Sequence, residues 1–133
     1  MLIYFGVQGF KNFKTPISLE LTAGDYKFNE KCIRNGVVHN VIIYGKNSVG
    51  KTNFGLALFD IVAHLTSNNV TPGLYDNYLA CSNCRGEASF KYVFQFDEDK
   101  VVYEYRKEEL RTLTYEKILL NGKIFMIKDY LNP

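Results

Sequence analysis

The sequence predicts an α/β fold in which one principal helix sits among many strands. Three observations carry this. The apolar run Val41-Ile42-Ile43-Tyr44 leads into a glycine-bounded loop, and a segment of helical spacing follows that loop. Apolar and polar residues alternate with period two at 17–21 and 88–96, the pattern of half-buried strands. Asn121-Gly122 stands between two β-prone runs, a strong signal for a type I′ hairpin turn.

The loop is Gly45-Lys46-Asn47-Ser48-Val49-Gly50-Lys51-Thr52, with the spacing G-x-x-x-x-G-K-T. Strand, loop and helix in that order predict a phosphate-binding P-loop. Gly45 lets the chain turn sharply out of the strand. Gly50 lets backbone N–H groups approach an anion with no Cβ in the way. Those amides and the positive end of the following helix can cradle phosphate oxygens. Lys51 would reach the β- and γ-phosphates and the Thr52 hydroxyl would ligate Mg²⁺, so ATP and Mg are the expected cofactors. Asn53 completes the predicted contact set. A strand–turn–helix that happens to carry Gly-Lys-Thr is the alternative.

The remaining elements follow in chain order. Residues 2–8 are apolar and β-prone, and with 17–21 they make a hairpin-like pair across the turn at 8–14. Residues 23–38 are polar, rich in Gly, Asn and Asp, and read as a loop. Val38 to Tyr44 is expected as a buried strand feeding the P-loop. Over 51–66, Phe54, Leu58, Ile61, Val62 and Leu65 share one helical face, with Asp60 expected at the helix surface. Residues 67–87 read mostly as loop, with a short helical turn at 75–80. Strands at 88–96 and 101–105 flank a turn at 97–100. Further strands at 113–120 and 123–128 flank Asn121-Gly122.

With 133 residues the chain has the size of one domain and can bury a real core. Its net charge of +2 lacks the strongly basic footprint of a nucleic-acid binder, so DNA contact would be weak or localised. No membrane segment or signal-peptide core is recognisable, and a cytoplasmic location is expected. The three cysteines are an odd number. Cys81 and Cys84 form a single C-x-x-C without the further ligands of a zinc site, so free thiols in a loop are expected there.

The chain resembles the SMC/RecF-like ABC ATPases. Gly9-Phe10-Lys11-Asn12-Phe13-Lys14 with Ile17-Ser18-Leu19 looks like their opening "NFR/NFK" hairpin. Tyr44 to Asn53 is similar to their "G-x-N-x-S-G-K-(S/T)-N" loop. The branch containing the AAA-15 type ATPases and the overcoming-lysogenization-defect (OLD) nucleases is nearest, with Tyr103-Glu104-Tyr105 and Tyr115-Glu116-Lys117-Ile118-Leu119 resembling its later hairpins. Val49 departs from the small residue usual at its position. The resemblance implies a P-loop NTPase of the α/β class, with an ABC-ATPase-like, β-rich N-terminal lobe and one main helix after the P-loop. It implies that residues 1–133 are the N-terminal part of such a domain, ending before the Walker B acid and the signature motif. It also implies a phosphate contact for Lys14, for which an exposed turn lysine is the alternative. A homodimer closing over the γ-phosphate is implied for the full-length protein, with DNA or a nuclease or effector domain as further partners. Val93-Phe94-Gln95-Phe96-Asp97 is the one stretch resembling a Walker B strand, and a hairpin strand entering its turn explains it better. The expected function is therefore ATP·Mg binding by one lobe of an ATPase acting in phage defence or DNA metabolism. A different P-loop kinase or GTPase, or a non-catalytic nucleotide-sensing module, are the alternatives.

Overall fold

A computed structural model describes residues 1–25, 29–66, 71–80 and 86–132, apart from the Pro72 side chain. Its centre is a six-stranded sheet. The strands are β1 (Leu2–Gln8), β2 (Ile17–Glu20), β5 (Ala88–Phe96), β6 (Asp99–Glu109), β7 (Thr112–Leu120) and β8 (Lys123–Asp129), in the order β2-β1-β5-β6-β7-β8. Every pairing in it is antiparallel. A small hairpin, β3 (Ile33–Arg34) with β4 (Val37–Val38), forms a separate two-stranded sheet. One α-helix, α1 (Lys51–Thr66), and two short 3-10 turns, Glu30–Cys32 and Pro72–Tyr75, complete the described structure.

The expected α/β P-loop class is therefore corrected. The protein is mostly antiparallel β-sheet with one helix, not a parallel α/β P-loop fold. The reason lies in one segment. Val38 to Tyr44 was expected to be a buried strand, yet β4 stops at Val38 and residues 39–45 pair with no strand among the described residues. Ile42 is 88% exposed and Tyr44 90% exposed. An apolar, β-branched run predicts a strand only if a neighbour supplies the other half of its ladder. Here the antiparallel hairpins pair with one another instead.

The hairpins form where turn chemistry directs. Asn121 and Gly122 have φ of 51° and 77°, the left-handed pair of a type I′ turn. The Asn121 side chain reaches the neighbouring β5–β6 turn, where Nδ2 donates to Asp99 Oδ1 (2.8 Å) and Oδ1 accepts from the Lys100 amide (2.8 Å). Asn35-Gly36 makes a similar turn between β3 and β4 within the stretch expected as loop, with φ of 52° and 73°. The short helical turn expected at 75–80 lies instead at Pro72–Tyr75.

Alternation along the strands puts one aromatic row against α1. Phe5 faces Tyr92, Tyr92 faces Tyr103, and Phe90 faces Tyr105 across adjacent strands. All five are buried, and Phe54 of α1 packs edge-on to Phe5 at 5.5 Å. Burying each such ring contributes roughly 1.5–3 kcal/mol from area alone. The helix face turned to this row matches the expected one only in part. Phe54, Ala57 and Asp60 are buried, whereas Val62 is 46% and Leu65 64% exposed. Leu58 and Ile61 are half-buried against the core. On the opposite face of the sheet, Ile3, Val93 and Val37 form a smaller cluster beneath the β3–β4 hairpin.

Candidate functional site

The glycine-bounded loop runs from the exposed 39–45 segment into the first turn of α1. Ser48 and Gly50 have φ of 65° and 101°. At 101° glycine is the residue whose backbone fits without strain. The helix begins at once, since the Phe54 amide donates to the Gly50 carbonyl at 2.8 Å. Lys51 folds back over the loop, with Nζ donating to the Gly45 and Lys46 carbonyls, each at 2.6 Å.

A cavity of about 310 Å³ opens here, lined by Asn12, Asn47, Ser48, Gly50, Lys51, Thr52 and Asn53. Among the described residues, Lys51 is the charged one in these walls and no carboxylate lines the cavity. A cation beside the amide end of a 16-residue helix gives a locally positive site suited to an anion. Of the expected contact residues, the structure brings Asn47, Ser48, Gly50, Lys51, Thr52 and Asn53 together around this space. Gly45 and Lys46 contribute the carbonyls that hold Lys51. Val49 is 55% exposed and does not line the cavity.

Lys14 does not line the cavity either; its side chain is exposed. The residue that the β1–β2 turn delivers to the loop is Asn12. Asn53 Nδ2 donates to Asn12 Oδ1 at 2.9 Å. A Cβ on Gly50 would stand 2.4 Å from Asn12 Nδ2, so a side chain there would displace the Asn12 amide. No spacing in the sequence marks Asn12; in the fold its neighbour Phe13 is buried against Phe54, and Asn12 reaches the loop beside it.

A second polar centre lies beneath α1. Asp60, expected at the helix surface, is completely buried. It accepts hydrogen bonds from the Tyr78 hydroxyl (2.9 Å), the Tyr105 hydroxyl (2.8 Å) and Lys107 Nζ (2.7 Å). Burial raises the pKa of both tyrosines, with the Asp60 charge adding to it. Burial lowers that of Lys107, against the opposing pull of Asp60. Nearby, the Tyr103 hydroxyl donates to Glu116 Oε1 (2.7 Å), so the 2.7 Å contact with His64 Nε2 places the imidazole proton on Nε2. Burial lowers the His64 pKa, and the Lys107 charge lowers it further. The groups are fully engaged with one another and ringed by the aromatic core, which is the arrangement of a structural anchor.

Asp97 sits in the β5–β6 turn with φ of 51°, as a hairpin strand entering its turn requires. Cys81 and Cys84 lie outside the described residues. Among the described residues, no helix is long and apolar enough to cross a membrane. No protein-family model matches the chain, and no curated protein matches it.

Proposed function

We propose that the protein binds Mg·ATP through residues 45–53 and serves as the nucleotide-binding part of an ATPase. One observation carries the reading. The Lys51 ammonium is held across the loop mouth by two loop carbonyls, in the same cavity as the Ser48, Gly50 and Thr52 walls and, among the described residues, with no carboxylate in those walls. That arrangement favours an anion and offers it a cation, amides and a helix terminus together.

The residues suit both cofactors. Lys51 can turn from the carbonyls toward phosphate oxygens. The Thr52 hydroxyl has no hydrogen-bond partner among the described residues and is exposed at the cavity, where it can serve as a Mg²⁺ ligand. Bound Mg²⁺ would neutralise phosphate charge. The chain supplies binding and orientation, and among the cavity walls no carboxylate is present to position an attacking water. Hydrolysis therefore requires a group from elsewhere, consistent with the dimeric closure that the SMC/RecF-like resemblance implies.

A titration with a fluorescent ATP analogue tests this. Mg²⁺ should tighten binding in the wild type, and Thr52→Val should abolish that gain while retaining the Mg²⁺-free affinity. Turnover by the 133-residue chain should stay below about 1 per second. Equal Mg²⁺ responses in the two proteins would refute the assignment of Thr52.

A further inference from the structure

Asn12 and Asn53 also line a second, open cavity of about 550 Å³, whose other walls are Lys11, Asp76, Asn77 and Leu79. The hydrogen-bonded amide pair is thus a wall common to both spaces. The second cavity is held by cross-chain bonds. The Lys11 amide donates to the Tyr78 carbonyl (2.9 Å) and the Ala80 amide to the Gly9 carbonyl (2.7 Å).

The polar groups of this second space have a distinct balance. Lys11 Nζ is committed to the Asp76 backbone carbonyl at 2.8 Å. The Asp76 carboxylate has no hydrogen-bond partner among the described residues, and neither does Asn12 Nδ2. A free carboxylate repels phosphate, so this space does not extend the anion site. It offers instead a strong acceptor, amide groups and the apolar surface of Leu79. Those features complement a molecule with O–H or N–H donors and a flat apolar face.

We propose that this cavity receives the nucleoside half of the nucleotide, with Asp76 as the specificity-determining acceptor and Asn12 as a donor at the neck. The proposal rests on the phosphate-loop reading above. The donor to Asp76 is either a ribose hydroxyl or a base N–H, which share the same chemistry at the carboxylate.

Calorimetry with Mg·ATP, Mg·2′,3′-dideoxy-ATP and Mg·tripolyphosphate tests it. The wild type should bind ATP more tightly than tripolyphosphate. Asp76→Ala should weaken ATP roughly tenfold or more, the loss of a charge-assisted hydrogen bond, and leave tripolyphosphate unchanged. Asp76 is exposed, so this variant should keep its fold. If the dideoxy nucleotide binds wild type as weakly as ATP binds the variant, the donor is ribose; if it binds as ATP does, the donor is the base, and both results sustain the proposal. Unchanged ATP affinity in Asp76→Ala, or equal wild-type affinity for ATP and tripolyphosphate, overturns the nucleoside cavity alone. Failure of the wild type to bind any of the three overturns the phosphate-loop reading as well.

Discussion

Lys107 Nζ lies 2.7 Å from Asp60 Oδ2, with side-chain exposures of 1% and 0%. This ion pair joins the middle of α1 to the sheet. It is desolvated, so the attraction is offset by the cost of burying both charges, and removing one partner leaves the other uncompensated. Asp60→Ala should destabilise the protein by about 3–5 kcal/mol. Lys107→Met alone should be comparably harmful, and the double variant should lose much less than the sum. Urea unfolding of the four proteins in a double-mutant cycle measures this. Strict additivity would show that the pair is not coupled.

How much of this was legible in the sequence varies by residue. The hairpins were, because alternation at 88–96 and the Asn121-Gly122 dipeptide act locally and their ladders pair neighbours in the chain. The Val41–Tyr44 segment was misread because its apolar character says that it suits a sheet, not that a sheet is beside it. Asp60 was misread for a related reason. Its burial depends on Tyr78, Tyr105 and Lys107, which lie 18, 45 and 47 residues away in sequence. Only the fold brings them to one point. The apolar stripe through Phe54, Leu58, Ile61, Val62 and Leu65 packs on the core at Phe54 and, half-buried, at Leu58 and Ile61, but Val62 and Leu65 are exposed because the aromatic row seats Ala57 and the Asp60 anchor instead. In the site, the loop residues from Asn47 to Asn53 were legible from spacing, apart from outward-facing Val49. Asn12 was not, because a turn residue from a different hairpin leaves no spacing signature.

The exposed approach segment makes its own prediction. Ile42 and Tyr44 are almost fully solvated, so Ile42→Lys and Tyr44→Lys should each change unfolding free energy by no more than about 0.5 kcal/mol. A charge placed in a buried strand would cost several times that. Chemical denaturation of the two variants decides the matter, and a loss above about 2 kcal/mol would restore the buried strand.

His64 gives the stability a pH dependence. Its pKa is lowered in the folded protein by burial first and by Lys107 second, against Asp60 and Glu116. The unfolded chain therefore takes up the proton first, near pH 6.5. Stability attributable to His64 is present above that pH and is lost as pH falls through the unfolded value toward the lower folded one. Thermal unfolding between pH 5 and pH 8, in sequence-matched wild type and His64→Gln, should show a smaller acid-side loss in the variant over this window. Identical profiles would remove His64 as the cause.

The most direct test of the account is calorimetric titration of Mg·ATP into the wild type and into Lys51→Ala. The ammonium that bridges the Gly45 and Lys46 carbonyls is the one cation among the described residues lining the cavity at the start of α1. The account predicts a measurable, weak affinity for the wild type and a loss of roughly tenfold to a hundredfold in Lys51→Ala, the contribution of hydrogen bonds to a charged group. Equal affinities for the two proteins, with both folded, would contradict nucleotide binding at residues 45–53.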